Sequence, residues 1–109
     1  MAYDLKLAER LRALLRSTRG VVEKEQFGGI GFMLRGNMAC GVMRNDLLVR
    51  VRPEKHDQAL KSKDVRPFAL TGRPSRGWIL VRPAALKTSA GLRKWVQMGL
   101  DFAGSLPAK

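Results

Sequence analysis

The sequence predicts an α+β fold of two layers. An antiparallel sheet of about six strands carries helices on one face, in the order α-β-β-β-β-α-β-β-α. Three observations lead there. Residues 4–17 carry apolar side chains at helical period, residues 21–52 at a period of two with hairpin-length links, and residues 89–106 at helical period again. Consecutive strands joined by short links imply antiparallel pairing, and the order lacks the regular alternation of a parallel doubly wound sheet. With 109 residues and 45% apolar content the chain fits one domain, residues 1–109, around a single core.

The first helix follows from DLKLAERLRALLRS, where Leu7, Ala8, Leu11, Leu14 and Leu15 form one stripe. Asp4 suits the N-cap, Gly20 follows the end, and Arg16 in the last turn suits the helix dipole. Strands are predicted at about 21–26, 30–35, 38–44 and 47–52. Gly36-Asn37 reads as a two-residue hairpin turn, because both residues tolerate positive φ. That turn sets Leu34 opposite Ala39, Met33 opposite Cys40 and Phe32 opposite Gly41, so that an aromatic ring over a cross-strand glycine explains the glycine. A three-residue loop, Arg44-Asn45-Asp46, then separates charges best. One face reads Ile30, Phe32, Leu34, Ala39, Gly41, Met43, Leu47, Val49 and Val51. The other carries Arg35, Arg44, Arg50 and Arg52 among Met33, Met38, Cys40, Val42 and Leu48.

Pro53 ends that strand and starts a short helix to about Lys61. Strands near 66–70 and 77–82 follow, separated by the turn-rich TGRPSRG. Four of the five prolines follow an arginine, namely Arg52, Arg66, Arg73 and Arg82. A residue before proline is biased to extended backbone, which places these arginines at strand ends and loops along the rims of the sheet. The last helix has Leu92, Trp95, Val96, Gly99, Phe102, Ala103 and Leu106 at helical spacing, with Thr88 or Ser89 as its cap.

Charge is the compositional outlier. Twenty-one Lys+Arg against nine Asp+Glu give +12 and a pI near 11.1. Residues 61–94 alone hold nine bases and one acid. Such a balance favours anionic partners such as nucleic acid, and it equally makes a soluble surface. A single cysteine excludes an intramolecular disulfide and a four-Cys zinc site, and suits a reducing cytoplasm. The charged N-terminus MAYDLKLAER argues against a secretory leader, and no apolar run approaches the roughly 20 residues of a membrane helix.

The stretch EQFGGIGFMLRGNMACGVM invites comparison with a phosphate loop. Gly29-x-Gly31 begins like a dinucleotide fingerprint, but Leu34 stands where the third glycine belongs, and the segment runs into a strand. No Gly-Lys-Ser/Thr occurs, so the glycines read as turning strands. Cys40 reads as a half-buried strand thiol, His56 as a surface imidazole, and Glu23 with Glu25 as a solvated strand edge. Metal binding would need more His, Cys or clustered acids than the chain has. No enzyme, cofactor or small-molecule substrate is therefore expected. Trp78 and Trp95 lie among basic residues but on apolar positions, and read as core.

The string QFGGIGFMLRGNMACGV, followed by DLLVRV and TGRPSRGWILV, resembles the TfoX N-terminal domain family (TfoX/Sxy-like) over nearly the whole chain. Its most specific pieces are Phe27-Gly28-Gly29, Gly36-Asn37-Met38, and Thr71-Gly72-Arg73-Pro74 with Gly77-Trp78. Members usually carry Met before Phe-Gly-Gly, and Gln26 stands there here. The resemblance implies a small α+β domain with an antiparallel sheet, related in shape to type III secretion chaperones. It also implies a link to regulators of natural competence genes. Full-length regulators carry a second, helical C-terminal domain that the 109 residues do not include, which reads as a stand-alone single-domain member. The family supplies no catalytic or ligand residues to carry over.

Two functional expectations result. One is a non-enzymatic regulatory or accessory domain that contacts nucleic acid through segment 61–94 and the sheet arginines. The other is a protein-interaction module that pairs with a partner or itself, through Met33, Met38, Val42 and Leu48 or an edge strand. Contact candidates under either are Arg35, Arg44, Arg50, Arg52, Arg66, Arg73, Arg76 and Arg82.

Overall fold

A computed structural model of the chain describes residues 3–26, 28–68 and 76–108. Asp4 begins helix α1, Leu5–Leu15, by accepting from the backbone N–H groups of Lys6 and Leu7. Two of the donors that a helix start leaves unpaired are satisfied this way. Strands β1 (Val21–Gln26), β2 (Gly29–Leu34), β3 (Asn37–Met43) and β4 (Asp46–Arg50) form consecutive hairpins. A 3-10 turn, Pro53–Lys55, leads into the short helix α2, His56–Ala59. Strands β5 (Val65–Pro67) and β6 (Trp78–Val81) complete one antiparallel sheet in the order β1-β2-β3-β4-β6-β5. Pro67 lacks an N–H to donate, and accordingly sits on an edge strand. A second 3-10 turn, Pro83–Leu86, precedes helix α3, Ser89–Ser105, which Thr88 caps through the Gly91 N–H. The α+β architecture and element order are as the sequence predicts.

All three helices contribute to the core on one face of the sheet. Leu7, Ala8, Leu11 and Leu15 of α1, Ala59 of α2, and Leu92, Trp95 and Val96 of α3 cover Ile30, Phe32, Cys40, Val42, Val49 and Ile79. On the opposite face Met38, Leu48 and Phe68 are buried, with Met33, Met43, Trp78 and Leu80 partly buried around them. No helix among the described residues is long and apolar enough to cross a membrane.

The hairpin register departs from the expected one in two places. The β2–β3 turn is Arg35-Gly36, both at positive φ, and Leu34 faces Asn37. Asn37 is instead buried, and its Nδ2 donates to the carbonyl of Pro107 at 2.9 Å. A bulge between Phe32 and Met33 then places Phe32 opposite Cys40 and Gly41 opposite Gly31. Cys40 and Val42 thus join the helix-covered face, while Gly41 and Met43 turn to the other. The β3–β4 turn is Arg44-Asn45, with Met43 facing Asp46. Each slip is one residue and reverses parity, so the two cancel and β4 keeps its expected faces.

No ring requires Gly41. A Cβ there would fall on the carbonyl oxygen of Ile30, and one at Gly29 would fall on that of Val42. These two glycines flank the Ile30–Val42 pair and admit the opposite backbone from either side. The turning glycine of this ribbon is Gly36, at φ 86°.

Candidate functional site

Topology divides the arginine candidates between the two ends of the sheet. The β2–β3 turn, the end of β4 and the end of α3 lie together, joined by the Asn37–Pro107 bond. Arg35, Arg50 and Arg52 belong to this end. The β3–β4 turn and the exits of β6 lie at the other, with Arg44 and Arg82, both exposed. Arg44 also helps form a cleft of about 360 Å³ with Arg66, Phe68 and Leu80.

Two candidates have carboxylate partners. Arg66 pairs with Asp46, which is buried at the start of β4, and Arg76 pairs with Asp57 at 3.4 Å. Arg73 lies outside the described residues. Arg35, Arg44, Arg50, Arg52 and Arg82 have no ion pair among the described residues.

Arg50 and Arg52 are brought together around aromatic rings. The Arg50 guanidinium carbon lies 5.1 Å from the centroid of Trp78 and 5.1 Å from that of Phe102. Arg52 lies 5.8 Å from Phe102. Trp78 arrives from the facing position on β6, while Phe102 comes from the last turns of α3. The rings hold the two cations by their quadrupoles, worth about 0.5–1 kcal/mol each at exposed sites, without neutralising them. The arrangement offers an anion two oriented guanidinium groups. Phe102 was hidden from sequence reasoning by its place on the apolar stripe of α3. Trp78, expected in the core, is half-buried at the sheet end, whereas Trp95 is buried as expected.

The lone thiol has the opposite character. Cys40 is fully buried, and burial pushes its thiol up to about 12, so it stays protonated at ordinary pH. His56 is 5% exposed, not a surface imidazole; its Nδ1 accepts from the Gly77 N–H at 3.0 Å, which leaves the proton on Nε2. Glu23 is exposed and pairs with Arg12 of α1. Among the described residues no three His, Cys, Asp or Glu side chains group as metal ligands.

Comparison with known proteins agrees with the motif reading. No curated protein and no solved structure matches the chain. A model of the TfoX N-terminal domain matches residues 13–103, from within α1 to the last turn of α3, and so spans the whole sheet together with the arginine–aromatic end. With that span of its 109 residues matched, the chain belongs to the TfoX N-terminal domain family.

Proposed function

We propose that this domain is a non-enzymatic regulatory or accessory module that contacts nucleic acid through its basic surface. The observation that carries this reading is the Arg50–Arg52 pair, unneutralised and held against Trp78 and Phe102 at the sheet end. The charge of +12 supports it, since nonspecific nucleic-acid binding is driven by counterion release from phosphates. Family membership supports the regulatory part, a role beside competence regulators, and a cytoplasmic site of action goes with it.

An anisotropy titration with labelled single-stranded and duplex oligonucleotides tests the proposal. Binding at low salt should weaken steeply as salt rises, and Arg50→Glu with Arg52→Glu should abolish it. Absence of binding at low salt sinks the reading.

A second reading rests on the face opposite the helices, where Met33, Met43, Trp78 and Leu80 keep part of their apolar surface accessible. It makes the domain a module that associates with itself or a protein partner. Under this reading the same double substitution changes the sedimentation behaviour rather than nucleic-acid affinity. A monomer at high concentration counts against self-association.

A further inference from the structure

A cleft of about 350 Å³ opens between the α2 segment and α3, lined by none of the four residues of the arginine–aromatic cluster. Its apolar lining is Ala59, Trp95 and Met98, of which Ala59 and Trp95 belong to the core. Lys55, Gln58, Ser62 and Lys94 supply its polar lining. No carboxylate lines it, and neither lysine has an ion pair among the described residues. The Lys94 ammonium lies 4.9 Å from the Trp95 ring centroid, which holds it beside the opening. Ser62 Oγ accepts weakly from the Asp64 N–H at 3.4 Å and keeps its own proton to donate.

Trp95 adds an independent sign. It is only 6% exposed, yet its indole N–H has no acceptor among the described residues. No fully buried side-chain nitrogen among the described residues lacks a partner. The small exposed part of Trp95 therefore includes its N–H, a donor left for something outside the chain.

We propose that this cleft binds a small organic anion. Lys55 and Lys94 take its carboxylate or phosphate head, with Gln58, Ser62 and the Trp95 N–H as further donors. Its apolar body lies on Ala59, Met98 and the edge of Trp95. The volume is near the lower end of ligand pockets, about 300–1,000 Å³, which suits one ring with a charged substituent rather than a dinucleotide. The sequence led to no expectation of a small-molecule ligand, because the two walls are more than thirty residues apart.

Proton–nitrogen correlation spectra of the full chain test this, with the two indole peaks assigned through Trp78→Phe. The probes are benzoate and phenyl phosphate, with benzyl alcohol as the uncharged ring and inorganic phosphate as the head without a body. Either aromatic anion should move the Trp95 indole peak saturably at millimolar concentration. Benzyl alcohol and inorganic phosphate should bind at least about ten-fold more weakly, as expected when one half of the recognition is missing. Lys55→Glu with Lys94→Glu should abolish the response at little cost in melting temperature, because both residues are exposed. Arg50→Glu with Arg52→Glu should retain it, which separates this site from the nucleic-acid reading. No saturable shift with either aromatic anion, or an undiminished shift in the lysine variant, overturns the proposal.

Discussion

On the helix-covered face of the sheet, α3 comes so close that Gly99 lies against the carbonyl of Ala39, and Cys40, Val42, Val49 and Ile79 are fully buried. On the other face Leu48 is equally buried, but the residues around it, Met33, Met43, Trp78 and Leu80, are only partly so. Alternate residues of the same strands build both surfaces. Beside Phe32 and Leu47, the covered face uses small and β-branched side chains, whose few rotamers suit a fixed neighbour. The other uses methionine and tryptophan, which adapt to a contact or tolerate water. The contrast teaches where this fold is intolerant and where it has latitude.

The sharpest way to break the covered face is Gly99→Val. A Cβ at this position would overlap the Ala39 carbonyl oxygen, which is backbone in a central strand and has nowhere to go. Several kcal/mol of destabilisation is expected, beyond the roughly 1–3 kcal/mol of ordinary overpacking. Gly104→Ala is the control on the same helix. Its Cβ would meet only Leu34 Cδ2, at 3.5 Å, and alanine suits a helix better by up to about 1 kcal/mol. Denaturant unfolding of the two variants should therefore move in opposite directions.

Gly41→Val probes the less covered face and should cost at least the roughly 1–3 kcal/mol of ordinary overpacking, because its Cβ likewise falls on a backbone carbonyl, that of Ile30. The competing explanation makes Phe32 the reason for the glycine. Phe32 belongs to the covered face, opposite Cys40, so a Phe32→Leu change should not rescue Gly41→Ala. Additive losses in the double-mutant cycle support the backbone account, and a clear positive coupling refutes it.

Cys40 sharpens the comparison through pH. Burial raises the folded thiol from 9.0 to about 12. The unfolded chain therefore loses this proton first as pH rises. The stability tied to the neutral thiol is whole below pH 9 and is lost on the way to pH 12. The slope is at most about 1.4 kcal/mol per pH unit. Melting curves between these limits should fall more steeply for the wild type than for Cys40→Ala, and parallel curves would contradict this. Thiol reagents should label Cys40 only when denaturant is added.

Local periodicity made the elements legible: the α1 stripe, the Asp4 and Thr88 caps and five of the strands stand close to where spacing places them, and β5 is Val65–Pro67 where 66–70 was expected, residues 69–70 lying outside the described ones. Register was harder to read. Asn37 tolerates positive φ better than Arg35, so local preference selects the wrong turn. What decides the turn is the bond from Asn37 to Pro107, 70 residues away. The candidate site was legible in composition but not in grouping. Arg50 and Arg52 could be placed on a strand end, but their ring partners come from β6 and α3, and Arg66 is drawn to Asp46 across the sheet. A helical wheel likewise reports Trp95 as core and says nothing of Lys55 across the cleft from it.

The smallest expected destabilisation is at the seam between the two faces. Arg50 touches Trp78, which belongs to the open-face cluster, and Phe102, which arrives with the covering helix. Replacing Arg50 and Arg52 by glutamine removes both charges and keeps polar side chains of moderate length. The loss is three ring contacts, only partly additive, so roughly 1–2 kcal/mol of stability is expected. The functional effect should be out of proportion to that. If each guanidinium neutralises one phosphate, the slope of log affinity against log salt should become shallower by nearly one for each on duplex DNA, and somewhat less on a single strand. A variant that melts lower than the wild type but binds with an unchanged salt slope would show that these cations serve the joint between the faces and not a nucleic-acid backbone. A normal melting temperature with a reduced slope would assign them to the ligand.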